Sequence, residues 1–307
     1  MKTIAFCCIL AFAFSTLAHA GSDKQVADEN SAVTPPPFRF MGELTVEQAY
    51  VGDSDVSRGA SDVNDFDELY SHLRVVYTPR VKFGIIRAGV EFERYSFGFS
   101  NGGAQLPNTL QAVNAVIGLD TEFSDSILVR LEAQPGFYGT TFGHFDAAQF
   151  NVPFIIGGTY IYSPSLQFVL GIGVNVQQKY PVLPGGGLRW KFARDWVLDA
   201  VLPTPRLEYS VTHDATVFLG ADIKTNTFRV DDHFGDSHGD PALNGAWLSY
   251  EELRIGLGVE WKLTSTLSLS LEGGYLPYRD FDYHRTDVRY HNESGGPYAS
   301  LQLQGSF

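Results

Sequence analysis

The residues from Pro297 to Phe307 constrain the fold most, because their side chains alternate between apolar and polar. Ala299, Leu301, Leu303 and Phe307 hold alternate positions, and every residue at the even positions from 300 to 306 is Ser or Gln. A period of two is typical of a β-strand with one apolar face. An aromatic residue at the end of such a strand is typical of a strand that crosses a bilayer. The pattern predicts a membrane-crossing strand, with Phe307 as a candidate assembly signal.

The same alternation recurs along the chain. Between Phe168 and Val176 the even positions are Phe, Leu, Ile, Val and Val, and between Leu253 and Trp261 the odd positions are Leu, Ile, Leu, Val and Trp. A helix would place apolar residues three and four positions apart, and these segments do not. No stretch after Ala20 approaches 18 consecutive apolar residues, so we expect no transmembrane helix.

The connections between these segments alternate in length. Six are short and rich in turn-forming residues, at 79–80, 124–126, 163–165, 193–195, 213–214 and 264–266. Longer connections lie between them, at about 52–68, 98–109, 140–151, 179–184, 232–249 and 281–296, and only the short connection at 203–205 breaks the alternation. Short turns at one end and long loops at the other are typical of an outer-membrane β-barrel.

The sequence therefore predicts an all-β fold, a transmembrane antiparallel up-and-down barrel of 14 strands over residues 38–307. Twelve strands is the alternative, because the run from Leu188 to Thr212 holds three short strands that could merge. An even strand count places both termini on the periplasmic side. A soluble secreted β-protein shares the composition and stays open as a further alternative.

The N-terminal segment predicts export. Lys2 precedes an apolar run from Ile4 to Leu17, and Ala18-His19-Ala20 matches a cleavage signal, so residues 1–20 are predicted to be a signal peptide. Cys7 and Cys8 are the only cysteines, so the exported chain would have none. Residues 21–37 end in three prolines and are predicted to be a disordered periplasmic leader. The predicted location is the bacterial outer membrane.

The charge balance excludes one class of partner. The net charge is −13, and removal of the signal peptide would remove a lysine and no acid. Binding to nucleic acid needs a basic face, so we expect no nucleic-acid partner. The expected partners are the lipid bilayer, the barrel-assembly machinery and small solutes, while the oligomeric state is left open.

The polar alternates predict which side chains line the lumen if the apolar ones face lipid. Acidic and basic residues are mixed among them, which predicts ion pairs across the lumen. The candidates are Arg87, Glu91, Asp120, Glu122, Arg130, Glu132, Arg189, Lys191, Asp199, Arg206, Glu208, Arg254, Glu260 and Glu272.

One acidic stretch is a weak candidate for cation binding. It packs four acids and two histidines into ten residues, and carboxylates and imidazoles bind divalent cations. Its spacing matches no EF-hand, so a solvated loop is the favoured interpretation. The candidate metal ligands are Asp231, Asp232, His233, Asp236, His238 and Asp240.

Catalytic motifs are not found. No Gly-x-Ser-x-Gly elbow occurs, and Gly185-Gly186-Gly187 lacks the Lys-Ser/Thr that follows the glycines of a phosphate-binding loop. We therefore expect a protein that is not an enzyme and that has no cofactor.

Two motifs carry a resemblance to a known family. Residues 181–190 read P-x-x-P-G-x-G-x-R-W, and residues 202–209 read L-P-x-P-R-L-E-Y. They resemble the most characteristic stretch of a family of bacterial outer-membrane barrels catalogued as a domain of unknown function. The resemblance implies a barrel from about Phe38 to Phe307, and it implies no activity.

Two functions follow as hypotheses. The first is an outer-membrane channel or small-solute transport barrel of unknown substrate, which the polar, glycine-rich face favours. The alternative is a structural or surface-interaction barrel, with a lumen closed by ion pairs and with acidic external loops.

Overall fold

The computed structural model describes residues 41–59, 61–100, 104–141 and 146–307. The predicted signal peptide with Cys7 and Cys8, the predicted leader at 21–37 and the predicted strand start at Phe38 lie outside the described residues. Within the described part of the chain, no helix combines the length and the apolar character needed to cross a membrane.

Fourteen β-strands form one sheet. They are β1 Gly42–Arg58, β2 Ser61–Tyr77, β3 Gly84–Gly98, β4 Thr109–Ser124, β5 Ile127–Ala133 with Gly136–Gly139, β6 Phe150–Asn151 with Phe154–Ser163, β7 Leu166–Val174, β8 Val182–Trp190, β9 Trp196–Asp199, β10 Arg206–Ser210, β11 Ala215–Arg229, β12 Trp247–Lys262, β13 Leu267–Tyr283 and β14 Val288–Ser294 with Gly296–Ser306. Pro135 and Pro153 lie at the breaks in β5 and β6, where a residue without an N–H cannot donate to the ladder. A two-residue strand, Arg80–Val81, folds back on the start of β3.

The sheet closes on itself. Each strand pairs antiparallel with the next, and β1 also pairs with β14, from Glu43 opposite Ser306 to Val51 opposite Tyr298. The predicted count of 14 strands is confirmed. The alternative of twelve is wrong, because β9 and β10 form their own antiparallel pair with Trp196 opposite Tyr209.

The two faces differ as the alternation predicts. On β12 the Leu257 side chain is 62% exposed on the outer face, whereas its neighbours Gly256 and Gly258 are buried. Large aromatic side chains near strand ends are also exposed, namely Trp190, Trp196, Tyr209 and Trp261, as is Tyr275 in the middle of β13. The outer face is therefore apolar and presents aromatic rings near its margins.

Two of the predicted long connections are strands. The chain does not leave the sheet over most of 52–68 or 281–296, because β1 and β2 run on to Arg58 and Ser61, and β13 and β14 run on to Tyr283 and Val288. We call the strand segments within 52–68 and 281–296 the outer extensions. In them the alternation of apolar and polar side chains is inverted. Val56 and Phe66 are buried inside the barrel, and Asp62 is exposed. This is the reverse of the arrangement at Leu257, where the apolar side chain faces outward.

The barrel wall has two heights. Strands β1–β4 and β11–β13 have 15 to 17 residues each, whereas β7–β10 have 4 to 9. We call β11–β14 with β1–β5 the tall wall, and β6–β10 the short wall. The two margins of the tall wall meet above the short wall, where Arg229 of β11 and Gly139 of β5 form a single parallel bridge.

Candidate functional site: the barrel lumen

The first group of lumen side chains is an ion-pair cluster between β1 and β5. Arg74 of β2 donates to Glu132 of β5 at 2.6 Å, and Arg87 of β3 donates to Glu43 of β1 at 2.6 Å. Neither pair joins adjacent strands, so both bonds cross the lumen. Further members of this β1–β5 cluster are Glu91, Asp120, Arg130 and His72.

A second cluster joins the opposite parts of the tall wall. Arg279 of β13 and Arg254 of β12 donate to the two oxygens of Glu68 on β2, at 2.6 and 2.9 Å. Tyr250 also donates to Glu68, at 2.6 Å. Further members of this β2–β12 cluster are Glu47, Asp222, Lys224 and Glu252. A charged side chain that is buried away from water needs an oppositely charged partner. These bonds therefore connect β12 and β13 to β2 through the lumen.

Aromatic rings fill the lumen at its outer end. The ring centroids of Tyr95 on β3 and Tyr250 on β12 are 4.9 Å apart, and those of Phe97 on β3 and Phe281 on β13 are 5.3 Å apart. Phe66 of β2 packs on both Phe97 and Phe281. These rings come from strands on opposite sides of the lumen, so the aromatic cluster closes this end of the tall wall. The prediction of a polar lumen face is wrong at this level.

A polar cavity of about 110 Å³ lies beside the two clusters. It is bounded by β3, β4 and β5 on one side, and by the end of β7 and the edge of β11 on the other. Its polar lining consists of Glu91, Glu93, Asn114, Gln134, Tyr138, Asn175, Gln178, Thr225 and Asn226.

Glycines line the short wall next to this cavity. Gly171 of β7 lies opposite Gly157 of β6 and Gly185 of β8, so the three form one row across the wall. Their outward neighbours Ile156 and Ile172 are exposed. The row has no side chains, which leaves the short wall thin at the level of the β1–β5 cluster.

The predicted lumen residues have different surroundings. Arg87, Arg130, Glu132 and Arg254 are buried in the two clusters, where Glu91 and Asp120 are half-buried. The half-buried members outside these clusters are Arg189, Asp199, Arg206, Glu208, Glu260 and Glu272. Arg206 lies over the ring of Phe218, 4.3 Å from its centroid, and 4.0 Å from Glu272.

Glu122 and Lys191 differ from the rest. Both are exposed, and they lie at or just beyond the ends of β4 and β8, beside the short turns. Their assignment to the lumen stays a prediction.

The acidic stretch at 231–240 folds into a short helix, α1 Phe234–Ser237, followed by a 3₁₀ turn. Its side chains bond locally: Asp232 accepts from Arg229, and His238 stacks on Phe234 with ring centroids 4.2 Å apart. Hydrogen bonds from Asn244 and His233 lower the pKa of Asp236. Asp231 and Asp240 accept backbone hydrogen bonds within the same loop. Among the described residues, no group of three or more His, Cys, Asp or Glu side chains is placed to hold a metal ion.

Sequence reasoning missed three central residues. Glu68 was assigned to a loop, and Tyr250 and Arg279 were not selected. Tyr250 could be predicted from Arg254, because the two residues are four positions apart on one strand and therefore share a face. Arg279 has no such signal, because the register between β12 and β13 shifts between Leu253 and Ile255. The shift reverses which positions of β13 face inward.

The fold and lumen define a closed 14-strand β-barrel with a polar, partly filled interior. A family model described as Domain of unknown function (DUF6268) matches residues 125–300, and the chain belongs to this family. No curated protein matches the sequence.

Solved structures resemble the barrel at low identity. An outer-membrane channel from Pseudomonas putida F1 has a TM-score of 0.48 at 6% identity, covering 90% of this chain and 100% of that chain. The P. putida toluene transporter TodX has a TM-score of 0.40 at 8% identity, covering 88% and 91%, and the KdgM porin has a TM-score of 0.35 at 8%, covering 86% and 99%. At these scores, the solutes of those proteins say nothing about a solute of this chain.

Proposed function

We propose that this barrel spans the bacterial outer membrane. Strands of 15 to 17 residues at a tilt near 40° rise about 40 Å, and the nine-residue strands β7 and β8 rise about 23 Å. An outer-membrane barrel has an apolar band about 25 Å tall. Strands β7 and β8 of the short wall match that band, and the inverted alternation of the tall wall begins above it. Export by the segment 1–20 and a periplasmic leader at 21–37 are part of this proposal.

We further propose that the barrel is a narrow channel for small polar solutes, without catalytic activity. The observation that carries this proposal is the polar cavity next to the glycine row of the short wall. The two ion-pair clusters restrain the rest of the lumen, so a solute would move along the row formed by Gly157, Gly171 and Gly185. The predicted lumen residues Arg189, Asp199 and Glu208 lie along the same side of the barrel.

Conductance tests this proposal. The purified barrel in planar bilayers should give small, discrete current steps, and liposomes that contain it should swell in small sugars or amino acids but not in large ones. Absence of both current and swelling, with the protein shown to be folded by its heat-modifiable migration, would reject the channel.

A second function is favoured by a separate observation. The aromatic cluster and the buried ion pairs of Glu68 fill the outer half of the lumen, as expected for a structural or surface-interaction barrel. Under this alternative, Phe97→Ala would open no conductance and wild-type vesicles would not swell. Swelling by the wild-type protein separates the two functions without any variant.

We also propose that Phe307 is recognised by the barrel-assembly machinery. Its backbone continues the ladder beyond β14, because Phe307 and Gly42 exchange hydrogen bonds at 2.9 and 3.2 Å. Its ring is exposed, so a partner could contact it. Phe307→Ala should lower the amount of folded barrel in the outer membrane while export is unchanged. Wild-type amounts of heat-modifiable barrel would contradict this role.

A further inference from the structure

The Glu93 carboxylate differs from the other carboxylates of the lumen clusters. It accepts hydrogen bonds from Tyr95 at 2.9 Å, Tyr70 at 3.3 Å and Asn226 at 2.7 Å. All three donors are neutral. Within the described part of the chain, no Lys, Arg or His nitrogen forms an ion pair with Glu93.

Glu91 provides the contrast two residues away on the same face of β3. It bonds Arg74 at 3.0 Å and His72 at 2.8 Å, so its charge is matched. Lys224 lies against one of the donors to Glu93, since its ammonium is 4.3 Å from the centre of the Tyr70 ring. That ammonium is already paired with Glu47 and Asp222, at 3.2 and 3.0 Å. A negative charge on Glu93 is therefore left for something else to match.

Two amide side chains beside Glu93 direct their nitrogens at the neighbouring carboxylate Glu91. The amide nitrogens of Asn114 and Gln134 donate to Glu91, at 3.2 and 3.4 Å, and that of Asn226 donates to Glu93. With their N–H groups directed at carboxylates, Asn114 and Gln134 present carbonyl oxygens to a ligand. Thr225 Oγ1, also in the lining, is buried and has no hydrogen-bond partner among the described residues.

A cavity with an unmatched carboxylate and the carbonyl oxygens of Asn114 and Gln134 suits a ligand that brings donors and a positive charge. An ammonium group supplies three donors and no acceptor. The cavity of about 110 Å³ has room for a few heavy atoms, since a water molecule takes about 30 Å³ in the liquid.

We propose that this cavity binds a small organic cation with a primary ammonium group, which bonds to Glu93. The proposal names the solute class for the channel and so rests on the proposed function. The same cavity is lined by Gly173 of β7, two positions from Gly171 of the glycine row, so the Glu93 site is a selectivity site that a cation meets on its path.

Binding is measured without conduction. Ethylammonium chloride is titrated into the purified, folded barrel in detergent and followed by NMR, with ethanol and sodium acetate as neutral and anionic probes. Ethylammonium should bind, and the other two should bind at least tenfold more weakly. Equal binding of ethanol or acetate overturns the proposal on the wild-type protein alone.

Variants locate the site. Glu93→Gln keeps the shape and removes the charge, and it should weaken ethylammonium binding about tenfold or more. Glu293→Gln is the matched control, because it removes a β14 carboxylate that is exposed and does not line the cavity, and it should leave binding unchanged. Equal weakening in both variants, or in neither, overturns the site.

A planar-bilayer measurement separates this proposal from the channel itself. With the channel open, the cation-to-anion permeability ratio should fall in Glu93→Gln and stay unchanged in Glu293→Gln. Binding without current would reject the channel and keep the site, and current without ethylammonium binding would reject the site and keep the channel.

Discussion

The tall and short walls of this barrel differ in how many charged side chains they carry and in how those charges are paired. The tall wall carries buried charges such as Arg254, Arg279 and Glu68, and each is held by a partner on another strand. The short wall has no charged residue in β6 or β7 and one in β8, Arg189, which lies 3.8 Å from Asp199. The comparison indicates that bracing of the lumen is concentrated in one part of the ring.

This division has a consequence for function. A barrel with ion pairs through the lumen on every side would have a filled lumen. A barrel without such ion pairs would need another means to hold its shape. Here the tall wall restrains the ring, so the short wall can be lined by glycine. The passage that we propose lies on the side that contributes least to cross-lumen bonding.

The largest expected effect breaks the bracing. Arg279→Met leaves Glu68 with one fewer cation in a buried site, and the free energy of unfolding should fall by about 3–5 kcal/mol. Arg189→Met on the short wall is the matched change, and it should cost less than about 1 kcal/mol because that pair is long and partly exposed. Urea unfolding in lipid vesicles measures both. Equal losses would mean that the walls do not differ in this way.

The next effect separates the two faces of the tall wall. Leu257→Arg puts a charge toward lipid and should destabilise the barrel by about 2–4 kcal/mol near mid-bilayer. Gly258→Arg should also be harmful, because a side chain there collides with the ring of Phe218 inside the lumen. Adding Phe218→Ala should restore much of the folding yield of Gly258→Arg and none of that of Leu257→Arg. Rescue of both, or of neither, would contradict the assigned faces.

A smaller effect on stability, with a larger effect on transport, is expected on the short wall. Gly171→Leu puts a side chain into the row between Gly157 and Gly185. We expect a change below about 1 kcal/mol in unfolding, since the lumen is thinly filled there, and at least a halving of liposome swelling rates. Leu170→Ala, on the outer face of the same strand, is the control. Unchanged swelling in Gly171→Leu would remove the proposed path from the short wall.

The smallest effect concerns the loop at 231–240. Its acids bond to Arg229, Asn244 and His233, so added calcium or zinc should not change its rate of protease cleavage. Strong protection by a metal would show that the loop rearranges into a site. Cleavage in lysates but not in intact cells would place the loop on the periplasmic side.

The sequence predicted the ring but not its interior. Period-two alternation and polar turns identify the strands, because each strand has an apolar outer face and a largely polar lumen face. The segment at 52–68 is predicted as a loop because Phe66 faces inward and Asp62 faces outward, which reverses the expected polarity. The bond between Arg279 and Glu68 depends on the stagger of strands 211 positions apart and on a register shift, and neither leaves a local signal.

The seam between β1 and β14 has a consequence for the order of events during folding. Glu47 and Ser300, hydrogen-bonded across it, are 253 positions apart, so the first strand made gains its second neighbour only when the last one arrives. Until then the sheet has two open edges, each able to pair with another chain. Contacts of such separation form slowly. The yield of folded barrel would then be limited by the time that the chain spends as an open sheet. The stability of the closed barrel would matter less.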